Sequence, residues 1–215
     1  MGACMRIVLI RHGQTLWNKE EIFRGRADIP LDEMGIQQAR AIANRLSLFS
    51  VNAVYSSPLR RALETAQIIA AELKVNITVD DNLTDLDFGK WQGLSVAEVQ
   101  RLFPELYGRW LKEPHLVKIP GGETLGRMKK RAAIALAKTL IKEKNDAVIV
   151  THRAVIKILI CAALSLDNSC FWRIKQDTGT ISILDCKEGR FALSLLNDSC
   201  HLADISKQGE DHGDF

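Results

Sequence analysis

Three apolar runs of strand length each lead straight into cationic groups. Ile7-Val8-Leu9-Ile10 is followed by Arg11-His12-Gly13, and Val148-Ile149-Val150-Thr151 by His152-Arg153. The run ending at Ser56 is followed by Ser57-Pro58-Leu59-Arg60-Arg61. Imidazole is a nucleophile or base near its ordinary pKa of about 6.5, and the guanidinium fork matches phosphate oxygens. Ligands of an open parallel sheet bind outside the carboxyl ends of its strands, so both histidines are expected at one sheet edge. Ser57 is expected as the N-cap of the following helix, with Pro58 at its first position and Arg60 and Arg61 in its first turn. Cations there oppose the helix dipole by a few tenths to about 1 kcal/mol each, which calls for an anion nearby. Arg153 repeats that inversion one helix later, and a bound phosphate satisfies both.

Absent motifs narrow the chemistry. The chain has no G-x-x-x-x-G-K-[ST] loop, no G-x-G-x-x-G after its first strand and no C-x5-R loop. A P-loop nucleotidase, a dinucleotide-binding enzyme and a cysteine-dependent phosphatase are therefore unsupported. Cys4, Cys161, Cys170, Cys186 and Cys200 are widely spaced and odd in number. They are expected as reduced thiols with no metal site, in a cytoplasmic protein. Histidine is left as the expected nucleophile.

These groups need a scaffold that ends several strands at one place. Strand-length apolar runs alternate with helical periodicity, which predicts an α/β fold with a mainly parallel sheet. Strands are expected at residues 6–10, 53–56, 77–80, 147–151, 180–185 and 192–196, the last two as a hairpin. Helices are expected at 32–47, 58–73, 95–103, 125–144 and 154–164. Residues 83–122, with Pro104, Pro114 and Pro120, are expected to be largely irregular and to form a cap over one end of the sheet. Trp91 and Trp110 within it are expected to pack rather than to stack on ligand. The tail 204–215, with four acids against one lysine, is expected to be frayed.

A length of 215 residues fits one domain, expected at 1–203, and 47% hydrophobic with 26% charged residues fits an ordinary globular chain. A formal charge of +3 is too small an excess to argue for nucleic acid. No stretch approaches the roughly 20 apolar residues of a membrane span, and the short run before Arg11 reads as a buried strand rather than a signal peptide.

The same residues resemble the signatures of the histidine phosphatase superfamily, also called phosphoglycerate-mutase-like. Arg11-His12-Gly13 matches its R-H-G motif. Gly25 through Asp28-Ile29-Pro30-Leu31 to Gly35-Ile36-Gln37-Gln38-Ala39 is similar to its G-x-x-D-x-P-L-x-x-x-G-x-x-Q-A stretch. Leu59-Arg60-Arg61-Ala62-Leu63-Glu64-Thr65-Ala66 is similar to L-x-R-A-x-x-T-A. Phe88-Gly89-Lys90-Trp91-Gln92-Gly93, Pro120-Gly121-Gly122-Glu123-Thr124 and Val150-Thr151-His152 follow in the family's order.

The resemblance implies a single-domain, three-layer αβα sandwich. It also implies a phosphomonoesterase in which His12 becomes phosphorylated while Arg11, Asn18, Arg61 and His152 hold the phosphate oxygens. The leaving alcohol takes its proton from an acid before F-G-x-W. Asp85 stands there, where relatives often carry Glu, and Asp87 competes with it. Arg24, Gly25, Glu123 and Arg153 are the candidates for substrate contact. A protonated His152 would add positive charge.

No cofactor or metal is implied. The partners are a small phosphate ester and inorganic phosphate as product, with neither nucleic acid nor membrane, and the terminal hairpin suggests a homodimer through the sheet edge. Among phosphatases, the chain looks most like the branch containing α-ribazole phosphatase and broad-specificity or phosphoserine phosphatases. Two alternatives stay open: a 2,3-bisphosphoglycerate-dependent phosphoglycerate mutase, and a non-catalytic protein that binds a phosphorylated ligand on the same fold.

Overall fold

The computed structural model describes residues 4–206. Six strands form one sheet: β1 Met5–Arg11, β2 Val51–Ser56, β3 Ile77–Val79, β4 Asp146–Thr151, β5 Ile181–Lys187 and β6 Arg190–Asp198, in the order β3-β2-β4-β1-β5-β6. The first four in that order run parallel, while β5 and β6 are antiparallel, as expected for a mainly parallel sheet closed by a hairpin.

The chain places helices on both faces. They are α1 Leu16–Lys19, α2 Glu33–Leu46, α3 Arg60–Leu73, α4 Val96–Leu102, α5 Pro104–Lys112, α6 Leu125–Lys142, α7 Arg153–Ala163 and α8 Ala203–Ser206. Alternation along the central strands decides the layers, because successive side chains of a strand point to opposite faces. Val8, Ile10, Val148 and Val150 meet Ile42, Leu46, Ala62 and Ile69 of α2 and α3. Ile7, Leu9, Ala147 and Ile149 meet Met128, Ala132, Val155 and Leu159 of α6 and α7. Both faces of β1 and β4 are thus covered, which is why these strands read as continuous apolar runs.

Register brings the cationic segments together. Arg11 pairs with Thr151 and Ser56 with Val150, so β1, β4 and β2 end side by side and His12, His152 and Ser57 leave the sheet at one edge. Gly13 makes the first turn possible, since a Cβ on it would lie 2.4 Å from the Gly35 carbonyl oxygen. That close approach seats the loop after β1 on the start of α2, where Asp32 caps the Gly35 amide at 2.8 Å.

Residues 83–122 depart from the expected irregularity. They hold α4, α5 and single 3-10 turns at Gly89–Trp91 and Pro114–Leu116. Pro104 is not a breaker here: it occupies the first position of α5, where a missing amide costs nothing. Trp91 is fully buried, with Tyr107 and Trp110 edge-on at 6.1 and 6.2 Å between ring centroids, so both tryptophans pack as expected. Gly89 has φ +48 and lies against the Pro120 carbonyl, which couples the F-G-x-W turn to the P-G-G loop.

Two further expectations are corrected. Asp204, expected to open a frayed tail, lies in α8, because Leu202 is buried and His201 Nε2 lies 2.9 Å from the Gly179 carbonyl. The rest of that tail from residue 207 lies outside the described residues. Ser57 is not a helix cap: α3 starts at Arg60 with Leu59 as its N-cap residue, and the Arg60 amide donates to Asp28 Oδ1 at 2.7 Å. No described helix is long and apolar enough to cross a membrane.

Candidate active site

His12 leaves β1 with its backbone amide on the Thr151 carbonyl (3.0 Å) and its own carbonyl accepting from the Gly179 amide (3.2 Å). Its Nδ1 lies 2.7 Å from the Gly13 carbonyl oxygen. A carbonyl only accepts, so Nδ1 carries the proton and the lone pair is on Nε2. That nitrogen accepts from Arg61 Nε at 3.2 Å and is oriented toward the cationic cluster.

Burial lowers the His12 pKa well below 6.5, and the charges of Arg61, His152, Arg11 and Arg24 push it the same way. His12 is therefore held neutral at pH 7, with a lone pair on Nε2. His152 packs against it with ring centroids 5.2 Å apart. Its pKa is also held well below 6.5, by burial first and then by Arg61, Arg131, Arg24 and Arg11. The extra positive charge that a protonated His152 would add is thus opposed by burial and by the surrounding guanidiniums.

The two buried arginines are aimed by carbonyl oxygens. Arg11 Nη1 donates to the Gln176 carbonyl at 2.7 Å, and the Gln176 side chain is fixed in turn by Ser182 at 2.7 Å. Arg61 donates through Nη1 to Ala27 and through Nη2 to Gly25, both at 2.8 Å. Arg60, one residue earlier, is exposed and pairs with Glu64 at 3.1 Å, so Arg61 is the arginine of this pair that faces His12. Asn18 is buried, and its Oδ1 accepts from the Thr15 amide and hydroxyl at 3.0 and 2.8 Å, which turns the NH2 end away from Thr15.

Asp85 closes the group. Its Oδ2 lies 3.1 Å from Arg61 Nη2 and 3.7 Å from His152 Nδ1, while Oδ1 accepts from the Leu86 amide at 2.9 Å. An acidic side chain thus stands beside the Arg61 guanidinium at the first turn of α3. Asp87 points elsewhere: it caps the Gly89 amide at 2.9 Å and faces Arg26 at 3.8 Å.

The candidate substrate contacts divide. Arg24, Gly25 and Arg153 line a cavity that begins at Asp85. Glu123 is not part of that lining; its carboxylate holds Arg131 through two contacts of 2.8 Å. The reason is local, since Glu123 precedes the N-cap of α6 and Arg131 lies about two turns further along the chain.

Four residues that sequence reasoning missed support the cluster. Ser57 Oγ lies 2.8 Å from His152 Nε2. Thr65 accepts from the Gly13 amide at 3.2 Å and donates to the Arg61 carbonyl at 2.7 Å, tying the turn after His12 to the arginine. Gln176 aims Arg11, and Arg131 binds the carbonyls of Asn82, Thr84 and Asp85, the stretch that carries the acid. Ser57 was findable, because it follows β2 as His152 follows β4. Arg131 gave no signal on a helix rich in exposed cations.

The arrangement is a neutral imidazole lone pair beside two buried guanidiniums, with a carboxyl group at its edge. It can bind a tetrahedral dianion, accept a phosphoryl group and deliver a proton.

Known proteins with related sequences share this frame. The family model described as histidine phosphatase superfamily (branch 1) matches residues 7–199. Phosphoserine phosphatase 1 of Hydrogenobacter thermophilus is 33% identical over 202 residues, 94% of this chain and 96% of that protein. Phosphoglycerate mutase-like protein 4 of Arabidopsis thaliana is 41% identical over 157 residues, 71% of this chain and 68% of its own. The crystal structure of the α-ribazole phosphatase from Shigella flexneri superposes with a TM-score of 0.82 at 26% identity, covering 90% of this chain and 96% of that one.

Proposed function

The chain belongs to the histidine phosphatase superfamily (branch 1), and we propose that it hydrolyses a small phosphate monoester through a phosphohistidine on His12. The observation that carries this reading is the His12 tautomer: with Nδ1–H held by the Gly13 carbonyl, the Nε2 lone pair lies among the cations that would bind the phosphate.

In the first step Nε2 attacks phosphorus as the bond to the ester oxygen breaks. Arg11, Arg61, the Asn18 amide and His152 hold the non-bridging oxygens. The Arg61 Nε–H passes from Nε2 to a phosphate oxygen as substrate seats. Asp85 gives its proton to the departing alkoxide, which leaves as the alcohol. In the second step water attacks the phosphorus of phospho-His12 and yields its proton to the Asp85 carboxylate. The P–N bond breaks, inorganic phosphate leaves, and His12 and Asp85 return to their starting states. Developing charge on the phosphoryl oxygens is met by donors already in place, the usual source of large rate effects in buried sites.

The relatives' names supply the first esters to try, phosphoserine and α-ribazole 5'-phosphate, together with 3-phosphoglycerate. Phosphate release from one of them, reduced at least about 10³-fold in His12→Ala, is the expected result. Isomerisation of 3-phosphoglycerate only after priming with 2,3-bisphosphoglycerate would replace hydrolysis by mutase chemistry. Binding without turnover of any ester would contradict both.

A further inference from the structure

Beyond Asp85 the catalytic cluster opens into a cavity with six aromatic side chains in its wall, beside the charged Glu21, Arg24 and Arg153. Phe23, Phe88, Trp110, Phe171 and Trp172 line it, with Arg153 at one side. Asp85 borders both spaces, so an alcohol whose oxygen takes a proton from Asp85 has its carbon skeleton in this cavity.

The rings form a braced wall. Phe23 and Phe88 meet edge-on at 5.0 Å, Phe171 and Trp172 at 4.9 Å, and Trp110 and Trp172 at 5.6 Å between centroids. Trp172 Nε1 donates to the Trp110 carbonyl at 2.7 Å, which fixes the indole in its plane. Of the cations in this wall, Arg24 donates to the Trp17 carbonyl at 3.1 Å and Arg153 lies 5.4 Å from the Trp172 centroid, with Lys157, one turn along α7 and behind the lining, at 4.5 Å from the same centroid. Wall stiffness of this kind favours a flat apolar group, which gains ring contacts without ordering new side chains. A compact, strongly hydrated alcohol such as that of phosphoserine or phosphoglycerate would lose water to these rings.

Resting on the reading of this site as a phosphomonoesterase, we infer that the cavity is its leaving-group subsite and that it selects esters of alcohols bearing an aromatic ring. The phosphoryl group sits at His12, the ester oxygen at Asp85, and the ring against Phe23, Phe88 and Trp172.

The test separates this inference from the reading beneath it. Calorimetry on the unaltered protein compares 3-phenylpropylphosphonate with butylphosphonate, neither of which can be hydrolysed at the P–C bond. Steady-state phosphate release compares 2-phenylethyl phosphate, propyl phosphate, phosphoserine and 3-phosphoglycerate. The first two are primary alkyl esters of similar leaving ability, and serine's more acidic hydroxyl would favour phosphoserine if chemistry alone decided. The phenyl compound is expected to bind, and to show a kcat/KM, roughly tenfold better than its alkyl partner and than either polar ester. Trp172→Leu should bring the phenyl-to-alkyl ratio toward one, while Trp172→Phe should keep most of it. A binding ratio near one, or a higher kcat/KM for phosphoserine or 3-phosphoglycerate, would overturn the inference even if phosphate release is vigorous. Tight phenyl-selective binding with no phosphate release from any ester would leave the subsite standing and remove the phosphatase reading.

Discussion

Asp85 and Asp87 are two positions apart, and their surroundings separate them. Asp85 faces Arg61 and His152 from a buried position, whereas Asp87 is spent on the Gly89 turn and is one-third exposed. If Asp85 is the proton donor, Asp85→Asn should lower kcat for an alkyl ester about 10²- to 10⁴-fold. The loss should be much smaller for 4-nitrophenyl phosphate, whose phenolate leaves without a proton. Asp87→Asn should spare that contrast between esters, and equal losses for both esters in Asp85→Asn would assign the proton elsewhere. The histidines set a second expectation. Both are held well below 6.5 by burial and neighbouring cations, so near that pH the unfolded chain takes up protons that the native state refuses. Their contribution to stability is complete above about pH 6.5 and falls as pH drops below it, by up to about 1.4 kcal/mol per pH unit for each. Urea midpoints between pH 7.5 and 5.5 should fall accordingly, and a flat profile would mean that neither histidine is held below its ordinary pKa in the native state. At this scale His12, His152, Arg11 and Arg61 were legible, because each follows a strand that the apolar pattern marks. The neutral state of His152 was not, since burial and the convergence of distant arginines depend on tertiary structure.

Elements decide how firmly the acid is presented. The stretch from Asp80 to Asp85 is anchored by Thr151 Oγ1 donating to the Leu83 carbonyl at 2.6 Å and by Arg131 reaching three carbonyls from α6. Arg131 touches neither histidine and reaches Asp85 only at its backbone carbonyl, which suits a residue that positions the acid rather than one that reacts. Arg131→Lys cannot keep the forked contacts, and it should reduce kcat about tenfold or more for alkyl esters, with a smaller loss for 4-nitrophenyl phosphate. Equal losses across both esters would make its role general stability rather than placement of Asp85. The elements also show where sequence reasoning stops. Pro104 occupies the first turn of α5 without a side-chain cap, whereas Pro58 precedes α3, whose Arg60 amide finds its acceptor on Asp28, 32 residues away. Periodicity located five helices to within one or two residues, but α5 follows α4 after the single residue Phe103 and α1 spans four residues, so neither declares itself as a separate apolar stripe.

The whole molecule explains why such scattered motifs form one site. Parallel pairing of β4 between β1 and β2 is the non-local step, and it gathers residues 11–13, 57–61 and 152–153 at one edge, while the hairpin β5–β6 carries the sheet on past β1. Strand order was not legible in the residues themselves, although alternating elements predicted the class. Among the described residues no cluster of three or more histidine, cysteine or acidic side chains is placed to hold a metal ion. Cationic side chains take that part in the proposed chemistry, so turnover should persist unchanged in excess chelator. Loss restored by one divalent ion would call for a different mechanism.

The covalent intermediate is the claim on which the rest depends. A rapid acid-free quench of the protein with a ³²P-labelled ester, followed by peptide mapping, tests it most directly. The account predicts label that builds before steady state, resists alkali, is released by acid, maps to His12 and is absent in His12→Ala. Steady hydrolysis with no trapped label, or label on another residue, would contradict it.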